Sequence, residues 1–318
     1  FKLLGGSGGS EGGLRAAEDE DGERISLSRR TNSPADNAET GGVEVDTPRE
    51  RPGAAAQLQV LLKRRWTAFR RRKADLWVQA ALLLVLPLIV ILQVSARHPD
   101  LSRWPLRLAE SPAAGTVLSM TFFMQVILLM FAAVWTVSRE AVEGRASWPA
   151  EHVGGLRSSA WVGSRILFVA LLLLAQALAM ALLTEVVLGT MPGHGGWRTI
   201  LLAGTSLGFG LLVLGLGAWS SGVDQARAWA LMLLLVNVLG CGALLAWPRA
   251  TAALVQPFLT AYYGWSGSVS TLSGSAWMEG VKVVNGTAFA TPGLALLMVL
   301  IHGLLGAGLL VLAVRRRR

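Results

Sequence analysis

The chain has 318 residues, 53% hydrophobic and 15% charged, with a mean hydropathy of +0.50. Charge-free apolar runs such as 77–94 and 201–219 are as long as a bilayer is thick, and about 20 such residues cross the hydrocarbon as a helix with every backbone group bonded internally. The formal charge of +9 divides into −4 over residues 1–53 and +13 over the rest, and the lone Cys241 excludes an intrachain disulfide or a thiolate metal cluster.

Residues 1–53 are rich in Gly, Ser, Asp, Glu and Pro. Such a stretch buries too little apolar surface to offset its ordering entropy, and is expected to be a disordered acidic and Gly/Ser linker or tail. The Gly/Ser run at 5–10 fits either a native or an added linker. Over 54–75 the pattern changes. Leu58, Leu61, Leu62, Trp66 and Phe69 recur at spacings of three and four, with Lys63, Arg64, Arg65 and the basic run 70–73 between and after them. This predicts an amphipathic helix at the membrane interface, serving as an anchor for the first span, as a docking element, or as both.

Six spans follow, at about 76–94, 116–137, 166–187, 200–219, 228–247 and 294–314. The expected fold class is therefore an all-α polytopic membrane protein with six transmembrane helices over 76–318. Pro87 lies inside the first span, where a membrane helix tolerates it. Residues 248–292 carry Phe258, Tyr262, Tyr263, Trp265, Trp277 and Met278 among small polar residues. So aromatic a connection is expected to re-enter the membrane or pack as short helices over 255–275.

Orientation comes from Lys and Arg in the connections. With the N-terminus inside, sixteen lie on the cytoplasmic side and six (Arg97, Arg103, Arg107, Arg198, Arg249, Lys282) on the other. This bias predicts both termini in the cytoplasm. Trp148, Trp161, Trp219 and Trp247 are expected at the interfaces, where an indole meets both headgroup and hydrocarbon.

The chain carries no phosphate-binding loop, kinase signature, nucleophile elbow or dinucleotide glycine pattern, and its four histidines are too scattered for a metal site. His302 is expected to face the bundle and hydrogen-bond a neighbour. Gln125, Gln176, Ser206 and Asn237 read as interhelical hydrogen-bonding groups. Glu185 alone is a charge inside a predicted span, near its outer end, where it is expected to reach water.

The connection after the second span reads Ser138-Arg139-Glu140-Ala141-Val142-Glu143-Gly144-Arg145, then Glu151, then Gly155-Leu156-Arg157-Ser158-Ser159-Ala160-Trp161-Val162-Gly163-Ser164-Arg165. It resembles the ABC-2 type transporter permease domain, in particular the White/ABCG-like half-transporters. There an Arg-Glu pair ends the second span, a further Arg, a Glu and a Leu follow, and an Ala-aromatic pair and a Ser-Lys/Arg pair lead into the third. Arg139, Glu140, Arg145, Glu151, Leu156, Ala160, Trp161, Ser164 and Arg165 fall on that pattern. The sequence departs from it at Gly144, where an acid is common and Glu143 stands beside it, and at Pro149-Ala150, where a basic pair is usual. The likeness covers about residues 56–318.

The resemblance implies a membrane-spanning subunit or domain of an ATP-driven exporter. Its substrate would be lipid-like, amphipathic or a polysaccharide. An ABC ATPase, fused upstream or separate, would be the partner and would carry the ATP and magnesium, with no cofactor in this chain. Arg139, Glu140, Glu143, Arg145, Glu151 and Arg165 would couple to that ATPase. Glu140 and Glu151 would hold Arg139, Arg145, Arg165 or basic groups of the ATPase. Leu58, Leu62, Arg65, Trp66 and Phe69 would belong to a connecting helix. Met120, Phe122, Phe123, Met124 and Asn237 would line the substrate route. A second copy of the chain and membrane lipids complete the expected partners, with no nucleic acid, in a cell membrane such as a bacterial inner membrane. The alternative is a non-transporting scaffold or regulator that keeps the permease topology. An intramembrane enzyme lacks a catalytic pair at span depth.

Overall fold

The computed structural model describes residues 52–97, 112–143, 148–188, 191–245, 247–285 and 288–316. The regular structure of these residues is all helix, without a strand among them. Six helices are long and apolar enough to cross a membrane. They are α2 (Lys73–Arg97), α3 (Pro112–Val142), α5 (Ser158–Leu188), α6 (Gly195–Gly217), α7 (Val223–Gly240) and α11 (Pro292–Arg315). Ahead of them lies α1 (Ala54–Arg71), and α4 (Trp148–Val153) stands between α3 and α5. The segment before the last span forms α8 (Arg249–Val255), a 3₁₀ turn at Gln256–Phe258, α9 (Thr260–Ser270) and α10 (Ala276–Val284).

Burial sorts the spans. The membrane cores of α3 and α6 are each 67% buried within the protein, against 28% for α2 and α7, so α3 and α6 form the centre and α2 and α7 the periphery. α6 and α11 pack through glycine. A methyl group on Gly215 would stand 2.2 Å from the Gly306 carbonyl oxygen, and one on Gly306 would stand 2.3 Å from the Leu211 carbonyl. Where lipid is as apolar as leucine, such backbone approach is what holds helices together.

At 31 residues each, α3 and α5 are about 46 Å long, against about 30 Å of hydrocarbon. Both therefore run on beyond the membrane. Most of the charged connection read from the sequence is helix: 138–142 is the end of α3 and 158–165 the start of α5. The fifth span corrects the expected 228–247. It starts five residues earlier, with Asp224 in the first turn where the helix dipole favours an acid, and it ends at Gly240. Gly242, at φ 87°, turns the chain there, while the apolar 243–245 prolongs the hydropathy signal past the helix. Trp247 then folds back, its indole donating to the Leu239 carbonyl at 3.2 Å.

The aromatic segment packs as short helices. Every residue of α9 is buried. Its first turn lies deep in the bundle: Thr260 Oγ1 and the Pro257 carbonyl meet the two ring nitrogens of His302 at 3.2 and 3.1 Å. Its other end reaches the α5–α6 turn, where the His194 amide donates to the Thr271 carbonyl at 3.4 Å. Between them, the Trp265 indole donates to the Ser119 carbonyl of α3 at 3.2 Å. Glu185 does not simply face water, since it accepts from the buried Arg198 of α6 at 2.5 Å.

Candidate functional site

At the end of the bundle where α3 leaves and α5 enters, α1 packs along α5 and reaches the end of α3 through Arg65. Its apolar stripe sits on α5. Leu58 lies against Gly163, where a methyl group would come within 2.9 Å of its Cδ1. Leu62 is half-buried, and the Trp66 and Phe69 rings stand 6.3 and 5.7 Å from that of Phe168. Since α1 has no fully buried residue, apolar contact alone holds it weakly. Polar contacts supply the rest.

Three rows of polar contacts cross from α1. Arg65 pairs with Glu140 in the last turn of α3. Arg64 reaches Glu151 of α4 at 3.2 Å. Gln57 donates to the Gly155 carbonyl at 3.3 Å and accepts from the Arg157 amide at 2.9 Å. One helix thus touches the end of α3, α4 and the start of α5. Arg72, just past α1, donates from Nη1 to both Glu143 oxygens at 2.6 and 2.7 Å. Arg139 binds Glu143 as well, and reaches Asp75 of α2 at 2.5 Å.

The electrostatics follow the geometry. Burial, then the neighbouring Arg165 guanidinium, lower Arg65 to about 9, with Glu151 and Glu143 opposing, so it is still a cation at neutral pH. Burial alone would raise the Glu143 carboxyl. Hydrogen bonds from Arg72 and Arg139 outweigh it and hold the group below the ordinary carboxylate value. The same bond to Glu143 raises Arg72.

Arg165 is wholly buried. Its Nη1 donates to the carbonyls of Glu140 and Ala141 at 2.5 and 3.3 Å, closing the C-terminal end of α3 with a cation where the dipole favours one. Its guanidinium lies 4.0 Å from the Trp161 ring. Trp161 packs on Trp148, and Trp148 stacks on His152, at 5.1 and 5.0 Å between centroids. Two of the four tryptophans expected at the interfaces, Trp148 and Trp161, are therefore interior, 2% and 4% exposed.

The residues singled out from the sequence separate into two groups. Arg139, Glu140, Glu143, Glu151 and Arg165 gather at this one end with Arg65, while Arg145 lies outside the described residues. Glu140 and Glu151 meet Arg65 and Arg64 of α1. Met120 lines a cavity of about 260 Å³ with Gln93, Thr116 and Thr121, between α2 and α3. Met124 is half-buried. Phe122 and Phe123 sit in the core, 0% and 3% exposed. Asn237 is also interior, donating to the Leu233 carbonyl at 2.9 Å and accepting from the Ala261 amide at 2.9 Å. Gln176, read from the sequence as an interhelical hydrogen-bonding group, donates its amide to Gln79 Oε1 and Thr136 Oγ1 at 2.7 and 2.9 Å; sequence reasoning missed those two partners, and Gln57 and Asp75. Asp75 was visible as the lone acid after the basic run 63–73; nothing in the spacing pointed to Gln57.

Compared with known protein families, residues 56–259 match the ABC-2 type transporter. No curated protein matches the chain.

Proposed function

The chain belongs to the ABC-2 type transporter family, and on that premise we propose that it is the membrane-spanning half of an ATP-driven exporter of the White/ABCG-like kind. Membrane proteins of this family typically function with a nucleotide-binding ABC ATPase. In this reading the ATPase, fused or separate, docks on α4 and α1 and supplies ATP and magnesium. Both termini lie in the cytoplasm, in keeping with the excess of basic residues in the connections on that side.

The observation that carries the reading is the lattice joining α1 to the ends of α3 and α5. Closure of an ATPase beneath it moves α1, α4 and the cytoplasmic ends of α3 and α5 as one body. Because α3 is among the most buried spans, its displacement reaches the centre of the bundle. A second copy of the chain completes the route, meeting the first through peripheral spans that are only 28% buried. The cavity beside Met120 and Gln93 is where an amphipathic, lipid-like or polysaccharide substrate enters.

The test uses the chain assembled with its ATPase in proteoliposomes. Glu151→Ala and Gln57→Ala each loosen the lattice at half-exposed positions without emptying the core. Transport-coupled ATP hydrolysis is expected to fall severalfold while the ATPase alone keeps its basal rate. Unchanged coupling in the double variant sinks the reading.

A further inference from the structure

At the same end of the bundle, the start of α5 and the last turns of α11 face each other across a groove of about 730 Å³. Arg157, Ser159 and Val162 line one wall, and Val311, Val314 and Arg315 the other. Arg157 and Arg315 are both exposed. Among the described residues neither guanidinium meets a carboxylate, whereas Arg64, Arg65, Arg72, Arg139, Arg198 and Arg227 each do.

The groove is graded along the helix axes. Val311 stands one turn before Arg315 and Val162 rather more than one turn after Arg157. In both walls the cation is therefore at the rim and the hydrocarbon about 5–8 Å further in. Both walls belong to helices that cross the membrane. A soluble partner supplies acidic groups at the rim but no alkyl chain to cover Val162, Val311 and Val314 behind it. A molecule with a phosphate at one end and an alkyl chain at the other fits both.

We propose that this groove holds one anionic phospholipid, its phosphate between Arg157 and Arg315 and an acyl chain against Val162, Val311 and Val314. The lipid then bridges the α4–α5 segment to the last span across the groove that parts them. That the leaflet is the cytoplasmic one rests on the orientation proposed above; the binding itself does not.

The full chain is reconstituted in nanodiscs of equal parts phosphatidylcholine and phosphatidylglycerol, extracted mildly, and its retained lipid counted by native mass spectrometry. Phosphatidylglycerol is expected to be enriched over its bulk share. Arg157→Gln or Arg315→Gln should cut the enrichment about fivefold and the pair should abolish it, each arginine near a lipid phosphate being worth roughly that factor. Arg71→Gln, exposed on α1 outside the groove, should leave it unchanged. Val311→Trp, which fills the apolar wall and keeps both charges, should also expel the lipid. Bulk-ratio retention by the unaltered chain overturns the proposal. So does enrichment that survives the double arginine variant, which would assign the rim to an acidic protein surface. Nanodiscs expose both leaflets and need no ATP, so failure of the transporter reading leaves this result intact.

Discussion

Arg65 of α1 and Glu140 of α3 form an ion pair whose side chains are only 17% and 13% exposed. A charge withdrawn from water this far depends on its partner. Glu140→Ala strands the Arg65 guanidinium and is expected to destabilise the protein by about 3–5 kcal/mol, whereas the paired change Arg65→Met with Glu140→Leu is expected to be near neutral. Thermal unfolding in detergent, with hydrogen exchange across 54–71, separates the two. A double variant as unstable as Glu140→Ala would show that packing, not the charge pair, holds α1.

Acid should loosen the same end in a definite window. Glu143 is held below the ordinary carboxylate value by Arg72 and Arg139. A group whose pKa is depressed by folding contributes stability above its unfolded value and loses it as pH falls through the folded one. The junction of α1 with α2 and α3 is thus expected to stay intact at pH 4.5 and to open below it. Glu143→Gln should remove that pH dependence from hydrogen exchange over 69–76. An equal acid response in the variant would place the titrating group elsewhere.

The seam of α6 and α11 predicts a contrast between two glycines on one helix. Gly306→Ala drives a methyl into the Leu211 carbonyl, while Gly308 has nothing within 4 Å of the added carbon. The first is expected to cost about 1–3 kcal/mol, and the second to gain up to about 1 kcal/mol from helix propensity. Comparable melting temperatures for the two would mean that α11 can slide away at no cost.

His302 holds the deep end of α9 through both ring nitrogens. His302→Leu leaves the Pro257 carbonyl and Thr260 hydroxyl unpaired in a buried site, a loss of about 1–3 kcal/mol. Faster hydrogen exchange confined to 256–270 is the expected sign. Uniform acceleration over all six spans would instead make the imidazole a global support.

Six spans were legible because a hydrocarbon-length run without charge has few other meanings. Their ends were less so. Residues 243–245 continue the apolar run of α7, yet a glycine with positive φ had already turned the chain. The clustering of Arg139, Glu140, Glu143, Glu151 and Arg165 at one end was legible as a charged connection, but their partners were not. Pairing Glu140 with Arg65 requires α1 to fold back over α5, and that depends on Leu58 finding the flat surface at Gly163. Nor did the tryptophan count show that Trp148 and Trp161 are interior, because the choice between lipid and an arginine face is made by the position of Arg165.

The burial of α9 bears on the order in which the chain is assembled. Its eleven residues include Thr260, Ser266, Ser268 and Ser270, a poor candidate for partition into lipid on its own. Its surroundings come from α3, α6, α7 and α11, and α11 is the last of these to be synthesised. The wedge is therefore expected to stay outside its seat until the final span has threaded and closed the fourth wall. In a Ser268→Cys chain stalled before residue 292 the new thiol should be open to a water-soluble thiol reagent, and the finished chain should protect it. Early protection would mean that the first five spans already form the seat.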